Sequence, residues 1–295
     1  MKFCLIYNKN SSNGEKSKFI NQIYKEIQKI YPIDIFETRS EQEASQILKN
    51  LKKGNYTRLV LAGGDGTVSF AINELIKNNN HFLKNFAIGY IPTGTANILK
   101  LELNINKKIN EIVKTLTSNN IKKTNLIAIS DQYSLLMTSI GWDADVIDSV
   151  KFSLKKKLGK IIFLIKAIQK FIFMKKFNFR ITTENTNYYA SWLLCCNSKY
   201  YAGNYILNKS DIFNDKFTIY IIKEFNRIKL INIIFAILFF KDISKVHGMT
   251  IINNKKIIIE KIDKHIPVQL DGSFIGNFDK IEISSSDKSV NLLSN

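Results

Sequence analysis

From residue 3 to residue 91, short apolar runs alternate with stretches of helical period, and few folds accept that order. Phe3–Tyr7, Ile33–Glu37, Arg58–Ala62 and Phe86–Ile91 have the length and residue content of strands. Between them, Ser17–Ile30 sets Phe19, Ile20, Ile23, Ile27 and Ile30 on one helical stripe. Glu41–Leu51 does the same with Ala44, Ile47, Leu48 and Leu51, and Val68–Ile76 reads as a further helix. Strand–helix alternation with short connections predicts a parallel sheet covered on both faces. Such sheets take ligands at the carboxyl ends of their strands.

The loops at those ends are the next signal. Leu59-Val60-Leu61-Ala62 runs into Gly63-Gly64-Asp65-Gly66-Thr67, and a helix follows. Glycines there allow positive φ and close backbone approach, so that successive N–H groups can face one concavity. The helix behind adds a partial positive charge, and a phosphate fits such a place. Asp65 does not help to bind an anion. It makes sense there if it holds Mg²⁺ or takes a proton from an attacking hydroxyl, or if it merely caps a tight turn. Pro92-Thr93-Gly94-Thr95-Ala96-Asn97 repeats the design after the strand Phe86–Ile91, with hydroxyls at Thr93 and Thr95. A polar loop, Asn8–Gly14, follows the first strand. These loops make one nucleotide site if the sheet order brings them together.

Past about residue 125 the pattern becomes strand after strand: Leu126–Ile129, Tyr133–Ile140, Phe177–Thr183, Tyr188–Asn197, Phe217–Ile222, Lys255–Ile262 and Val268–Leu270. Turn-like Asn, Asp and Lys clusters join several of them, which predicts an antiparallel, sandwich-like second domain. Helical stretches interrupt it at Leu158–Met174 and Arg227–Phe240.

Composition excludes several classes. Lys and Arg number 43 against 25 Asp and Glu, a formal charge of +18, which favours an anionic partner. Only four of the 43 are Arg, so a coding bias toward Lys can account for part of that surplus. No nucleic-acid motif accompanies the charge, so nucleic acid is not expected. Cys4, Cys195 and Cys196 form neither a disulfide framework nor a zinc-ligand spacing, and read as buried thiols in a reducing compartment. The apolar start, Met1–Tyr7, is too short for a signal-peptide core, and the run Leu230–Phe240 is too short to span a bilayer. A cytoplasmic protein is expected, associated peripherally with membrane at most.

The ordered motifs are similar to those of a known family. Gly63–Thr67 with Asn73 behind it, Pro92–Asn97 continuing through Leu103, and Ser139-Ile140-Gly141-Trp142-Asp143-Ala144 resemble segments of the diacylglycerol kinase catalytic family of bacterial lipid kinases. The helical excursion Leu158–Phe173, the turn Tyr201-Ala202-Gly203-Asn204 and the closing Gln269-Leu270-Asp271-Gly272 extend the resemblance over nearly the whole chain. That family is related to sphingosine kinases and, more distantly, to NAD kinases. The resemblance implies an ATP- and Mg²⁺-dependent lipid kinase of phospholipid metabolism. It implies an α/β nucleotide domain over 1–125, an antiparallel β-sandwich over 126–280 with the lipid in the cleft, and a segment 281–295 returning to the first domain. Carried over by position, Asn8, Thr38, Gly63, Gly64, Asp65, Gly66, Thr67, Val68, Ser69, Thr95 and Asn97 would contact ATP. Asp215 stands where the family has an Asp for Mg²⁺, and Asp65, Asp271 and Ser273 stand at the catalytic positions. The oligomeric state is left open, a homodimer included.

Some positions depart from the family pattern. Ser273 replaces the acidic residue taken as the base, and a serine does not accept a proton at neutral pH as a carboxylate does. Lys9, Phe70 and Ile98 replace a Pro, a Glu and an Asp. The alternative to an active kinase is therefore a weakened or inactive lipid- and nucleotide-binding relative. Finally, Lys151–Arg180 carries ten positive residues and no acid, interleaved with large apolar side chains. A stretch of that kind suits an anionic membrane surface, or else a core-packed helix with solvated lysines.

Overall fold

The computed structural model describes residues 1–9, 14–78, 86–150, 161–201, 203, 205–206, 211–214, 216–236, 239, 243 and 246–295, with only the backbone at residue 52. Contacts divide the chain into two compact units, Met1–Thr124 with Lys288–Asn295, and Asn125–Asp287.

The first unit runs β1 (Phe3–Asn8), α1 (Gly14–Gln28), β2 (Ile33–Thr38), α2 (Glu41–Asn50), β3 (Arg58–Gly63), α3 (Asp65–Lys77), β4 (Ala87–Pro92), α4 (Ile98–Glu102) and α5 (Ile109–Thr117). β3 and β4 are buried at every position, as strands covered on both faces must be. The α1 stripe buries Ile20, Ile23 and Ile27, whereas Ile30 lies past the helix end and is exposed. Ser40 starts α2 by accepting from the Glu43 amide at 3.2 Å, while the Glu43 carboxylate takes the Arg39 amide at 2.8 Å. α1 packs with α5, and α2 with α3. β1 lies between β2 and β3, with β4 beyond β3, all parallel. The chain thus winds one way from β1 to β2 and the other way to β3, and the switch opens a crevice at the carboxyl ends of β1 and β3. The C-terminal residues complete this unit: Leu292 pairs with Ile88 of β4, and the Ser294 and Asn295 amides donate to Asn120 O and Leu103 O.

β5 (Ile121–Ile129) leads into the second unit. There follow β6 (Gln132–Ser134), β7 (Met137–Ile140), α6 (Trp142–Asp148), α7 (Ile161–Ile172), β8 (Phe179–Thr182), β9 (Asn187–Ala190), β10 (Trp192–Cys196), β11 (Tyr200–Tyr201), β12 (Tyr205–Ile206) and β13 (Phe217–Ile222). α8 (Arg227–Phe235), β14 (Met249–Asn254), β15 (Lys256–Lys261), β16 (Ile266–Leu270), β17 (Ser273–Phe278) and β18 (Lys280–Leu293) complete it. One antiparallel sheet has the order β14-β13-β10-β7-β16-β17. Against it, β9, β8, β15 and the first part of β18 form a second antiparallel layer. Alternate residues meet between the layers, Ile257, Ile259, Ile281 and Ile283 from one and Leu193, Cys195, Ile219 and Ile221 from the other. That period of two is what makes a sandwich core.

Two expected strands are each broken. Tyr133–Ile140 divides into β6 and β7 at Leu135-Leu136, whose amides are held by a side chain rather than a strand partner. Tyr188–Asn197 divides at Ser191, and its halves, β9 and β10, join different sheets. β11, β12, β14, β17 and β18 and the helices α5 and α6 are not among the elements the sequence predicts. The expected helix Leu158–Met174 is described from Ile161, and its earlier part falls in 151–160, outside the described residues. Among the described residues, no helix is long and apolar enough to cross a membrane.

Candidate active site

In the first unit the strand register fixes which loops are neighbours. Asn8 is opposite Thr38, Tyr7 opposite Ala62, and Gly63 opposite Pro92. The carboxyl ends of β1, β2, β3 and β4 therefore lie side by side. The loops after β3 and β4 interlock: the carbonyl of Gly63 accepts the amides of both Thr93 and Gly94 at 2.9 Å. Above it, backbone packs on backbone. A Cβ on Gly94 would stand 2.2 Å from the Gly64 Cα and 2.9 Å from its nitrogen. The expected positive φ is not what these glycines provide. Gly64 has φ −100°, and Gly63, Gly66 and Gly94 are absent from the positive-φ residues. Gly64 and Gly94 are needed because the two loops touch, and a Cβ on Gly63 would instead meet the Thr67 side chain.

α3 begins at Asp65, earlier than the expected Val68, with Gly64 as its N-cap and no side-chain cap. Gly66 and Thr67 thus belong to the first helical turn, where the dipole is positive, and the Thr67 amide already donates to Gly64 O at 3.0 Å. Val68 and Ser69 are buried on the next turn, so neither side chain lies open at the loop surface, whereas Gly66 and Thr95 are exposed.

Asp65 is half-buried and joins the loops. Its Oδ2 accepts the Ile98 amide and its Oδ1 the Leu99 amide, each at 3.0 Å, so this carboxylate caps α4. It is a capping residue, but of the other loop's helix. Asn97 completes the junction. In the left-handed region at φ 52°, it donates from Nδ2 to Gly94 O at 2.8 Å and accepts the Tyr90 hydroxyl at 2.9 Å. Its side chain is buried, so it shapes the loop from within. Burial pushes the Tyr90 phenol far up, with the Asp65 charge adding to the effect. At the neighbouring ends, Thr38 is buried and donates to Tyr7 O at 3.2 Å. Glu37 accepts the Tyr7 hydroxyl at 2.6 Å and pairs with Lys9 at 2.7 Å. Burial and the Glu37 contact push the Tyr7 phenol up to about 12.

In the second unit, Asp271 and Gly272 are the two loop residues of the β16–β17 hairpin, with φ 46° and 82°. Positive φ at both positions is the geometry that Asp-Gly favours in a tight hairpin. Asp271 is buried, and its Oδ1 accepts from Ser134 Oγ at 2.7 Å and from the Leu136 and Met137 amides at 2.9 Å. Its Oδ2 takes the Leu135 amide at 2.9 Å. Four donors hold this carboxylate, and it in turn holds the β6–β7 turn. Ser273 opens β17 and is exposed. Asp215 lies outside the described residues. Among the described residues, no group of three or more His, Cys, Asp and Glu side chains is placed to hold a metal ion.

Asp143 was named within a motif but given no role. It is buried, accepting Trp192 Nε1 at 3.0 Å and the Tyr201 hydroxyl at 3.2 Å. Burial raises its pKa, opposed by hydrogen bonds from Ser139, Trp192 and Tyr201. Two acids, Asp143 and Asp145, inside the otherwise apolar segment Ile140–Val146 are the signal that draws attention to this position. Two residues on, Asp145 pairs with Lys170 of α7 at 2.7 Å.

Comparison with known proteins places this geometry. Residues 2–129 match the family model described as diacylglycerol kinase catalytic domain. A protein of Streptococcus pneumoniae named "putative lipid kinase" is 26% identical over 215 residues, 71% of each chain. A Staphylococcus carnosus protein of the same name is 25% identical over 211 residues, 68% of this chain and 67% of that one. A crystal structure of a diacylglycerol kinase from Bacillus anthracis has a TM-score of 0.78, covering 100% of this chain and 97% of its own at 22% identity, which shows a common fold. Through its residues 2–129, the chain is similar to the diacylglycerol kinase catalytic-domain family.

Proposed function

We propose that the chain is a lipid kinase that moves the γ-phosphate of ATP, bound with Mg²⁺, to the hydroxyl of diacylglycerol or a similar lipid alcohol. The observation that carries this reading is the contact of Gly64 with Gly94 at the ends of β3 and β4, beside the sheet's switch point. Only residues without a Cβ let the two loops meet, and their meeting sets the uncapped start of α3 beside the β4 loop. A phosphate chain suits that place. Backbone N–H groups of Gly64, Asp65 and Gly66 and the hydroxyls of Thr67 and the exposed Thr95 would bind phosphate oxygens. Gly63 and Asn97 would set the loop shapes, Asn8 and Thr38 would border the nucleotide, and Val68 and Ser69 would support the loop from below.

Mg²⁺, when bound, neutralises charge on the transferring phosphate. Asp65 would be a carboxylate for that ion, half-buried at the junction of the two loops. Asp215 would be a second carboxylate for the metal. Phosphoryl transfer depends mainly on positioning and charge stabilisation. Asp271 acts in this account as a positioning residue, because its lone pairs already serve four donors. The enzyme would work at the cytoplasmic membrane face as a peripheral protein.

Ser273 favours a second reading, a slowed relative that keeps nucleotide and lipid binding. Loss of a general base costs about 10²–10⁴-fold in rate. The test is transfer of labelled phosphate from ATP to a panel of lipid alcohols in mixed micelles, with products read by mass spectrometry. A phosphorylated lipid product, with a rate that rises at least about tenfold in Ser273→Glu, is expected. Saturable ATP binding without transfer to any lipid, in both proteins, would favour the second reading over the first.

A further inference from the structure

The basic character of the chain directs attention to α7, but the surface of the second unit implicates α8 as well. Both helices turn large apolar side chains outward. On α7, Leu164 is 62% exposed and Ile168 53%, and Phe173 just beyond its end is 72% exposed. On α8, Leu230 and Ile233 face inward, yet Ile228 is 69% exposed, Ile231 52% and Phe235 50%. A helix of a water-soluble surface carries polar groups on its outer face, whereas these two are apolar on both. Patches of this kind mark contact surfaces.

The two helices are also linked. Arg227, the first residue of α8, donates from Nε to Phe171 O at 3.0 Å and from a terminal nitrogen to Ile172 O at 2.6 Å. One guanidinium thus satisfies the last carbonyls of α7 and ties the end of one apolar face to the start of the other. The border is cationic: Lys166, Lys176 and Lys229 lie on or beside these helices, Lys175 lies there paired with Asp145 at 3.7 Å, and neither 151–183 nor 225–241 contains an Asp or Glu.

We propose that α7 and α8 form a two-helix docking face for an anionic bilayer. Leu164, Ile168, Phe173, Ile228, Ile231 and Phe235 enter the acyl boundary, and the flanking cations lie among the headgroups. Apolar area and attraction to anionic lipid add in such binding. The choice of a bilayer as occupant rests on the lipid-kinase reading, since a substrate held in a membrane must be met there. α8 is the new element, because its two cations alone would never have selected it.

The test is sedimentation of the purified full chain with vesicles of phosphatidylcholine, with and without phosphatidylglycerol. Binding that requires the anionic lipid is expected. Ile231→Ser/Phe235→Ser on α8 should lower the partition coefficient by at least about tenfold, with an unchanged circular dichroism spectrum and melting midpoint. A polarity-sensitive dye on Phe235→Cys should shift to the blue on anionic vesicles; the native cysteines are buried and leave that site selective. Unchanged partitioning of the α8 variant overturns the proposal, as does a dimer in sedimentation equilibrium that the same substitutions dissociate. Vesicle binding without transfer of phosphate to lipid would support this face while contradicting the kinase reading.

Discussion

Asp65 and Asp271 belong to different units of the molecule and invite the same inference from sequence, an acid beside glycine in a kinase-like motif. Both turn out to bind backbone amides, but to different degrees. Asp65 takes the Ile98 and Leu99 amides, is half-buried, and lies at the junction of two loops with the start of α3 beside it. Asp271 takes three amides and a hydroxyl, is buried, and sits in a hairpin turn. The first lies where a ligand can reach it, and the second is enclosed by its own fold. A carboxylate's capacity for chemistry depends on its exposure as well as on the acceptor sites the protein has already filled.

Truncation tests that contrast most directly. Asp271→Ala strands four buried donors, each worth about 1–3 kcal/mol when left unsatisfied, so the second unit should lose at least about 4 kcal/mol. Asp65→Ala removes a helix cap at a site water can reach and should cost the first unit only about 1 kcal/mol, while lowering transfer activity at least about a hundredfold. Urea unfolding followed separately for the two units measures both. Equal losses of stability would erase the distinction.

A smaller effect concerns Asp143, a third aspartate whose pKa burial raises. Above about pH 4 the unfolded chain releases this proton while the folded chain retains it, so stability falls as pH rises until the folded pKa is passed. Asp143→Asn should flatten that part of the stability–pH curve relative to the parent protein. An unchanged slope in urea midpoints between pH 4 and 7 would show that the carboxyl is not held neutral.

The α/β and antiparallel halves were legible because burial leaves a period. β3, β4 and β10 are nearly unbroken apolar runs, and β8 alternates. β14 and β17 escaped because MTIINN and SFIGNF mix polar residues, and in β17 a glycine, into partly exposed strands. α6 is too short to show a period. The glycine loop was legible as a place, but its cause was not. Positive φ is a local property, whereas the contact of Gly64 with Gly94 joins positions thirty residues apart in sequence. The partners of Asp271 are more distant still, from Ser134 to Met137, and nothing near Asp271 in the sequence points to them.

The central claim is that backbone meeting backbone at Gly64 and Gly94 shapes a cradle for the phosphates of ATP. Titration calorimetry of Mg²⁺-ATP into the purified chain and into Gly94→Ala tests it directly, because the added Cβ would stand 2.2 Å from the Gly64 Cα and must part the loops. Saturable heat from the parent chain, weakened at least about tenfold by the single methyl group, is the predicted result. No heat from the parent, or equal affinity in both proteins, would contradict it.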